Sequence, residues 1–160
     1  MTAATYSLTF TGRILQRGFW LYVWEVTLAG SSTLHYVGRT GDSSSRFAQS
    51  PFTRMGQHLG FAENSSMLRR HLTARGVTPE ACTYRLVAHG PVLEEAADLA
   101  GHRERRDVVS ALEKALAEAM AAAGYTVMNT VKCRQRLDEE LFAQVRAAFA
   151  AEFPALRVDC

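Results

Sequence analysis

Arg54 and His58 stand four residues apart in PFTRMGQHL, residues 51–59. Residues at that spacing share a helix face, so the two side chains project together, away from the side that carries Phe52, Met55 and Leu59. A planar, permanently charged guanidinium can clamp phosphate oxygens and offset charge that develops on them. An imidazole beside it can take or give a proton near neutral pH. Tyr22 and Tyr36, both in strand-like sequence, and Glu113, in helix-like sequence, extend this set of groups able to bind an anion and move protons. Each also has a plain structural reading: packed strand tyrosines, a solvated helix face, a surface ion pair.

The elements that must position these groups can be read from periodicity. FWLYVWEVTL, residues 19–28, is rich in aromatic and β-branched residues, AGSST supplies a turn, and LHYVG, residues 34–38, resumes the strand pattern. This predicts a β-hairpin with Tyr22 on its first strand and Tyr36 on its second. An earlier strand is expected in TYSLTFTGRI, residues 5–14, and a later one in ACTYRLVAHG, residues 81–90, ending at Gly90-Pro91. Pro51 opens a short helix over 51–59. A second helix follows, with Asn64 or Ser65 as its N-cap, Leu68, His71 and Leu72 inward, and Gly76 as its stop.

From Val92 to Ala123 there is no proline, and Val109, Leu112, Leu116, Ala119, Met120 and Ala123 recur at helical spacing, so a long helix is predicted, with a break near Gly101. At 100° per residue Glu113 falls about 80° from the centre of the apolar stripe and Glu118 about 140° away; Glu104, the competing carboxylate, lies about 100° off on the opposite flank. Glu113 therefore sits at the margin of the buried face, within reach of both sheet and water. GYTVMNTV reads as extended, and residues 137–153 as an amphipathic helix with Leu137, Leu141, Val145 and Phe149 along one stripe. The expected class is α+β, a small three-stranded antiparallel sheet flanked by helices, with a C-terminal helical extension.

Composition narrows the functions open to such a fold. At 160 residues and 48% hydrophobic, the chain is expected to form a single domain over 1–160, with a core at about 18–132. No apolar run reaches the about 18 residues of a membrane span, and the N-terminus lacks the order of a signal peptide, so a cytoplasmic protein is expected. Cys82, Cys133 and Cys160 are odd in number and widely spaced, which argues against a disulfide framework and against a cysteine zinc site. Net charge is only +2, but residues 1–90 carry nine arginines against four acids, whereas the remainder carries nine basic residues against twelve. A basic half beside an acidic helical half is a footprint suited to a polyanion.

Taken together, Tyr22, the Y36-V-G38 strand end, R54-x-x-x-H58, Glu113 and Asn129 make the chain resemble the GIY-YIG nuclease family, over roughly residues 18–132. L21-Y22-V23 stands where glycine, isoleucine and tyrosine would be expected, and the interval between the two tyrosines is longer than usual. The resemblance implies hydrolysis of DNA phosphodiester bonds with one divalent ion, Mg²⁺ or Mn²⁺, held by Glu113. It implies that Tyr22 helps to activate the attacking water, that Tyr36 and Arg54 hold the scissile phosphate, that His58 assists proton movement, and that Asn129 belongs to the same site.

Arg46 has the family's common spacing from Tyr36, but Ser50 is its helical neighbour, so Arg54 is the arginine expected to act. Gly38, at the end of its strand, would admit a closely approaching backbone or ligand. Arg39, Arg46, Asn64, Arg69 and Arg70, with Arg75, are the residues expected to contact DNA; RNA is an open alternative. His35, His71, His89 and His102 have no metal-ligand spacing and are expected to be structural. Two other readings stay open: a non-catalytic module of this fold that binds nucleic acid or protein, and a homodimer whose seam is the C-terminal stripe.

Overall fold

The computed structural model describes residues 2–42, 45–64 and 66–158. Three antiparallel strands, β1 (Phe19–Thr27), β2 (Thr33–Arg39) and β3 (Thr83–Leu93), form one sheet in the order β2-β1-β3. Helices α1 (Pro51–Leu59), α2 (Met67–Ala74), α3 (Leu99–Ala122) and α4 (Glu139–Ala150) flank it. The fold is therefore α+β with a small sheet between helices, the class its sequence pattern predicts.

Strand β1 is central, which explains why it is apolar on both sides. Phe19, Leu21 and Val23 face Val37 of β2, Val109, Leu112 and Leu116 of α3, and Val145 and Phe149 of α4. Tyr22, Trp24 and Val26 point the other way, toward Tyr36 and toward Leu68 and Leu72 of α2. The side-chain alternation of a strand thus sends the two tyrosines to one face of the sheet. The hairpin turns through Ser31, whose φ of 65° is left-handed and lets its N–H donate to Leu28 O.

Several expected elements differ in extent. Residues 5–11 are not a strand: they lie outside the sheet, a 3₁₀ turn follows at Gly12–Leu15, and Phe10 packs on Phe52 of α1 at 5.0 Å. Alternation supplied a strand-like pattern, but apolar contact with α1 is what the segment found. β3 does not stop at Gly90-Pro91; after a register shift opposite Phe19–Leu21 it pairs on to Leu93. A proline is tolerated there because β3 is an edge strand.

Helix α3 consequently begins only at Leu99, where Asp98 accepts from Gly101 N–H at 2.7 Å; Gly101 belongs to a capped first turn and breaks nothing. The cap of α2 is Ser66 and not Asn64, and Ser65 lies outside the described residues. The stripe of α4 covers the sheet: Val145 and Phe149 are buried in the core, with Leu137 and Leu141 packed against it, so it is not free to serve as a dimer seam. No helix among the described residues is long and apolar enough to cross a membrane.

Candidate active site

Helix α1 forms where expected because Ser50 caps it, accepting from Thr53 N–H at 3.2 Å, and Pro51 takes the first-turn position where no N–H is missed. Its Met55 and Leu59 pack toward the Tyr22–Trp24 cluster. His58 is fully buried, with Nε2 2.5 Å from the Tyr22 hydroxyl. The same imidazole meets the Tyr36 ring edge-on, with centroids 5.1 Å apart. His58 thus joins the two strand tyrosines.

Burial and the neighbouring Arg54 charge lower the His58 pKa to about 3, so the ring is neutral at physiological pH. Burial raises both phenols above their ordinary range; Arg54 opposes that shift at each of them. With the ring proton on Nδ1, Nε2 accepts the Tyr22 O–H. A neutral phenol bonded to a neutral imidazole is a proton-transfer pair that needs no ionised member at rest.

Arg54 is held by two neighbours, donating from Nη1 to Gln57 Oε1 at 2.9 Å and from Nη2 to Asp42 Oδ2 at 3.1 Å. Its Nε is a buried donor without an acceptor among the described residues, and so is Nη1 of Arg39. Buried guanidinium N–H groups left unpaired are costly, and an arriving phosphate would satisfy them. Arg39 itself donates from Nε to Glu113 Oε2 at 2.8 Å. Glu113 therefore does have an ion-pair partner, on β2.

Glu113 is largely buried, and burial raises its carboxyl to about pH 7 against the lowering effect of Arg39. Its Oε1 makes no hydrogen bond among the described residues. A desolvated carboxylate with a free oxygen beside paired arginines and tyrosines fits one hard divalent cation. No group of three or more His, Cys, Asp or Glu side chains able to hold a metal gathers among the described residues. Water and substrate phosphate would have to complete the ligand set, an arrangement natural to Mg²⁺. Glu104 is exposed, and Glu118 pairs with Lys114 at 3.8 Å.

Asn129 comes close by another route. Its Oδ1 accepts from Val37 N–H at 3.0 Å and its Nδ2 donates to Val37 O at 2.7 Å, while His35 pairs by backbone with Thr126 and Met128. The amide acts as a missing strand along the outer edge of β2, fixing the residues beside Tyr36. Gly38 has a related function, though what approaches it is the Tyr22 ring and not a ligand: a β-carbon there would lie 2.4 Å from Tyr22 Cε2.

The expected DNA-contact residues separate into groups. Arg46 points elsewhere, donating to Ala97 O at 3.0 Å and covering the Phe47 ring. Arg69 is tied to Leu59 O and Glu80, and Arg75 to Met128 O. Asn64 and Arg70 are exposed. Sequence reasoning missed Asp42, which holds Arg54, and His71, whose ring lies 5.6 Å from that of Tyr36. Asp42 carried a signal, being the sole acid between Glu25 and Glu63; His71 stands on the inward face of its helix, and only its lack of metal-ligand spacing kept it out of the site.

No family model, no curated protein and no solved structure matches the chain.

Proposed function

We propose that the protein is a divalent-metal-dependent endonuclease that hydrolyses DNA phosphodiester bonds, acting as the GIY-YIG resemblance implies. The observation that carries this reading is the burial of His58 against both strand tyrosines, with Arg54 one helical turn away on α1 and the Arg39–Glu113 ion pair joining the end of β2 to α3. Arg54 releases Asp42 to take the scissile phosphate, and Tyr36 donates its hydroxyl to a second phosphoryl oxygen. Tyr22 passes its proton to His58 as it accepts one from the attacking water, so the phenol stays neutral and the positive charge rests on His58 until its proton returns to solvent. The water oxygen bonds to phosphorus, the bond to the 3′ oxygen breaks, and that oxygen is protonated from solvent. A divalent ion at Glu113 supplies Lewis-acid charge.

A second reading, a nucleic-acid-binding module without catalysis, is favoured by one observation. Tyr22 is 1% exposed and Tyr36 7%, so the tyrosines are sealed at rest. Supercoiled plasmid with Mg²⁺ separates the two. The endonuclease reading expects nicking or linearisation that Glu113→Ala abolishes while circular dichroism stays native; equal activity of the two proteins under every divalent metal would sink it.

A further inference from the structure

Three residues after His58, Phe61 is 82% exposed, an unusual setting for a large aromatic side chain. It is not disordered surface apolarity. The Arg69 guanidinium lies over the ring at 4.2 Å from its centroid, and Arg69 is itself fixed, donating from Nε to Leu59 O at 2.9 Å and from Nη1 to Glu80 Oε1 at 2.7 Å. One face of the ring is thus held by an immobilised cation, and the high exposure leaves the other to solvent. An aromatic plane fixed in advance on one side loses little conformational freedom when a second flat group settles on it.

Phe61 also lines a hollow of about 420 Å³, together with Glu63, Asn64, Ser66 and Arg70. Its polar groups are an amide, a carboxylate and a guanidinium. Arg70 has no carboxylate partner among the described residues; its contact is with Met67 Sδ at 3.9 Å. An amide offers adjacent donor and acceptor atoms to a base edge, a carboxylate accepts from an exocyclic amine, and a free guanidinium holds a phosphate. Glu63 would repel a phosphate, so the strand must pass on the Arg70 side.

We infer that this hollow receives an unpaired nucleobase of a DNA strand, stacked on Phe61, read by Asn64 and Glu63, and anchored through its phosphate by Arg70. A paired base has both faces covered by its neighbours in the stack, so only an unpaired one can use the platform. Three residues of chain span at most about 11 Å between α-carbons, so the platform lies at the same end of α1 as His58. The basic balance of residues 1–90 favours a polyanion over an apolar protein segment. The inference rests on the proposed function for the identity of the polyanion, and it sharpens the substrate to DNA with a single-stranded stretch beside the cut.

Binding measured in EDTA tests it independently of cleavage. Fluorescence anisotropy would compare a labelled single-stranded deoxyoligonucleotide of mixed sequence with its annealed duplex. Phe61→Ala should weaken single-strand binding by about tenfold, with Phe61→Trp restoring it and duplex binding moving less than about twofold. Arg70→Gln should lower the salt dependence by about one ion. Unchanged single-strand affinity in Phe61→Ala, equal loss on both forms, no binding of either, or tighter binding of the matching RNA would each overturn the inference. The two readings fail separately: Phe61-dependent binding without Glu113-dependent cleavage keeps the platform and removes the nuclease, and cleavage with Phe61 irrelevant does the reverse.

Discussion

The ring of Tyr22 fills the place that a side chain at position 38 would occupy: the two residues are cross-strand partners, and a β-carbon on Gly38 would meet Tyr22 Cε2 at 2.4 Å and its hydroxyl at 2.6 Å. That relationship fixes the ring, and with it the direction of the hydroxyl toward His58. Gly38→Ala should therefore cost about 1–3 kcal/mol by overpacking and displace the phenol. Urea denaturation of Gly38→Ala, Tyr22→Ala and the double variant checks this, because the double should be less destabilised than the sum. Additive effects would show that the two positions do not share the space.

Tyr22→Phe keeps the ring over Gly38 and removes only the oxygen. His58 Nε2 then loses its partner at 2.5 Å, in a side chain fully buried. A stability loss of about 1–3 kcal/mol follows from leaving a buried acceptor unpaired. Plasmid cleavage should fall by about 10²- to 10⁴-fold if the phenol moves the water's proton. Cleavage within a few-fold of wild type, with the fold intact, would remove Tyr22 from the chemistry and leave it a packing residue.

Much of this geometry could be read before any coordinates. Pro51 marks the start of α1, and the four-residue spacing pairs Arg54 with His58, but the expected direction of that face differs: His58 is buried on the Tyr22–Tyr36 cluster that Met55 and Leu59 also pack against. The same reasoning put Glu113 at the margin of α3 and chose Arg54 over Arg46. What periodicity could not supply was partnership across the chain. Alternation in residues 5–11 does not reveal whether a strand edge is free, and nothing local shows that β3 will resume pairing beyond Pro91. Arg39 and Glu113 are 74 residues apart, and their ion pair exists only because β2 and α3 pack together. Asp42 escaped for the same reason.

Asn129 gives a prediction that separates positioning from chemistry. Removing its amide leaves Val37 N–H and Val37 O without their partners at 3.0 and 2.7 Å. Asn129→Ala should cost about 2 kcal/mol, two ordinary hydrogen bonds at once. Because the bonds hold the strand beside Tyr36, cleavage should fall mainly through a higher KM, with the pH profile unchanged. A shifted pH profile would instead place the amide on a reacting group.

The pH dependence of stability carries opposite signatures from two buried groups. Glu113 is raised from 4.5 to about 7, so between those values the folded protein keeps a proton that the unfolded chain has lost, and stability falls as pH rises through that window. His58 is lowered from 6.5 to about 3, so there the unfolded chain holds the proton, and stability is lost as pH falls from 6.5 toward 3. Glu113→Gln cancels the first effect alone: it should match wild type below pH 4.5, become progressively more stable than wild type between pH 4.5 and about 7, and keep a constant advantage above that. Added Mg²⁺ should shrink that difference, because the ion competes with the proton for wild-type Glu113 and finds no carboxylate in the variant. The apparent Mg²⁺ affinity of wild type should drop by about tenfold for each unit of pH below 7. Urea denaturation and magnesium titration across this range check both; a constant difference between wild type and Glu113→Gln at all pH values would show that Glu113 keeps an ordinary carboxylate pKa.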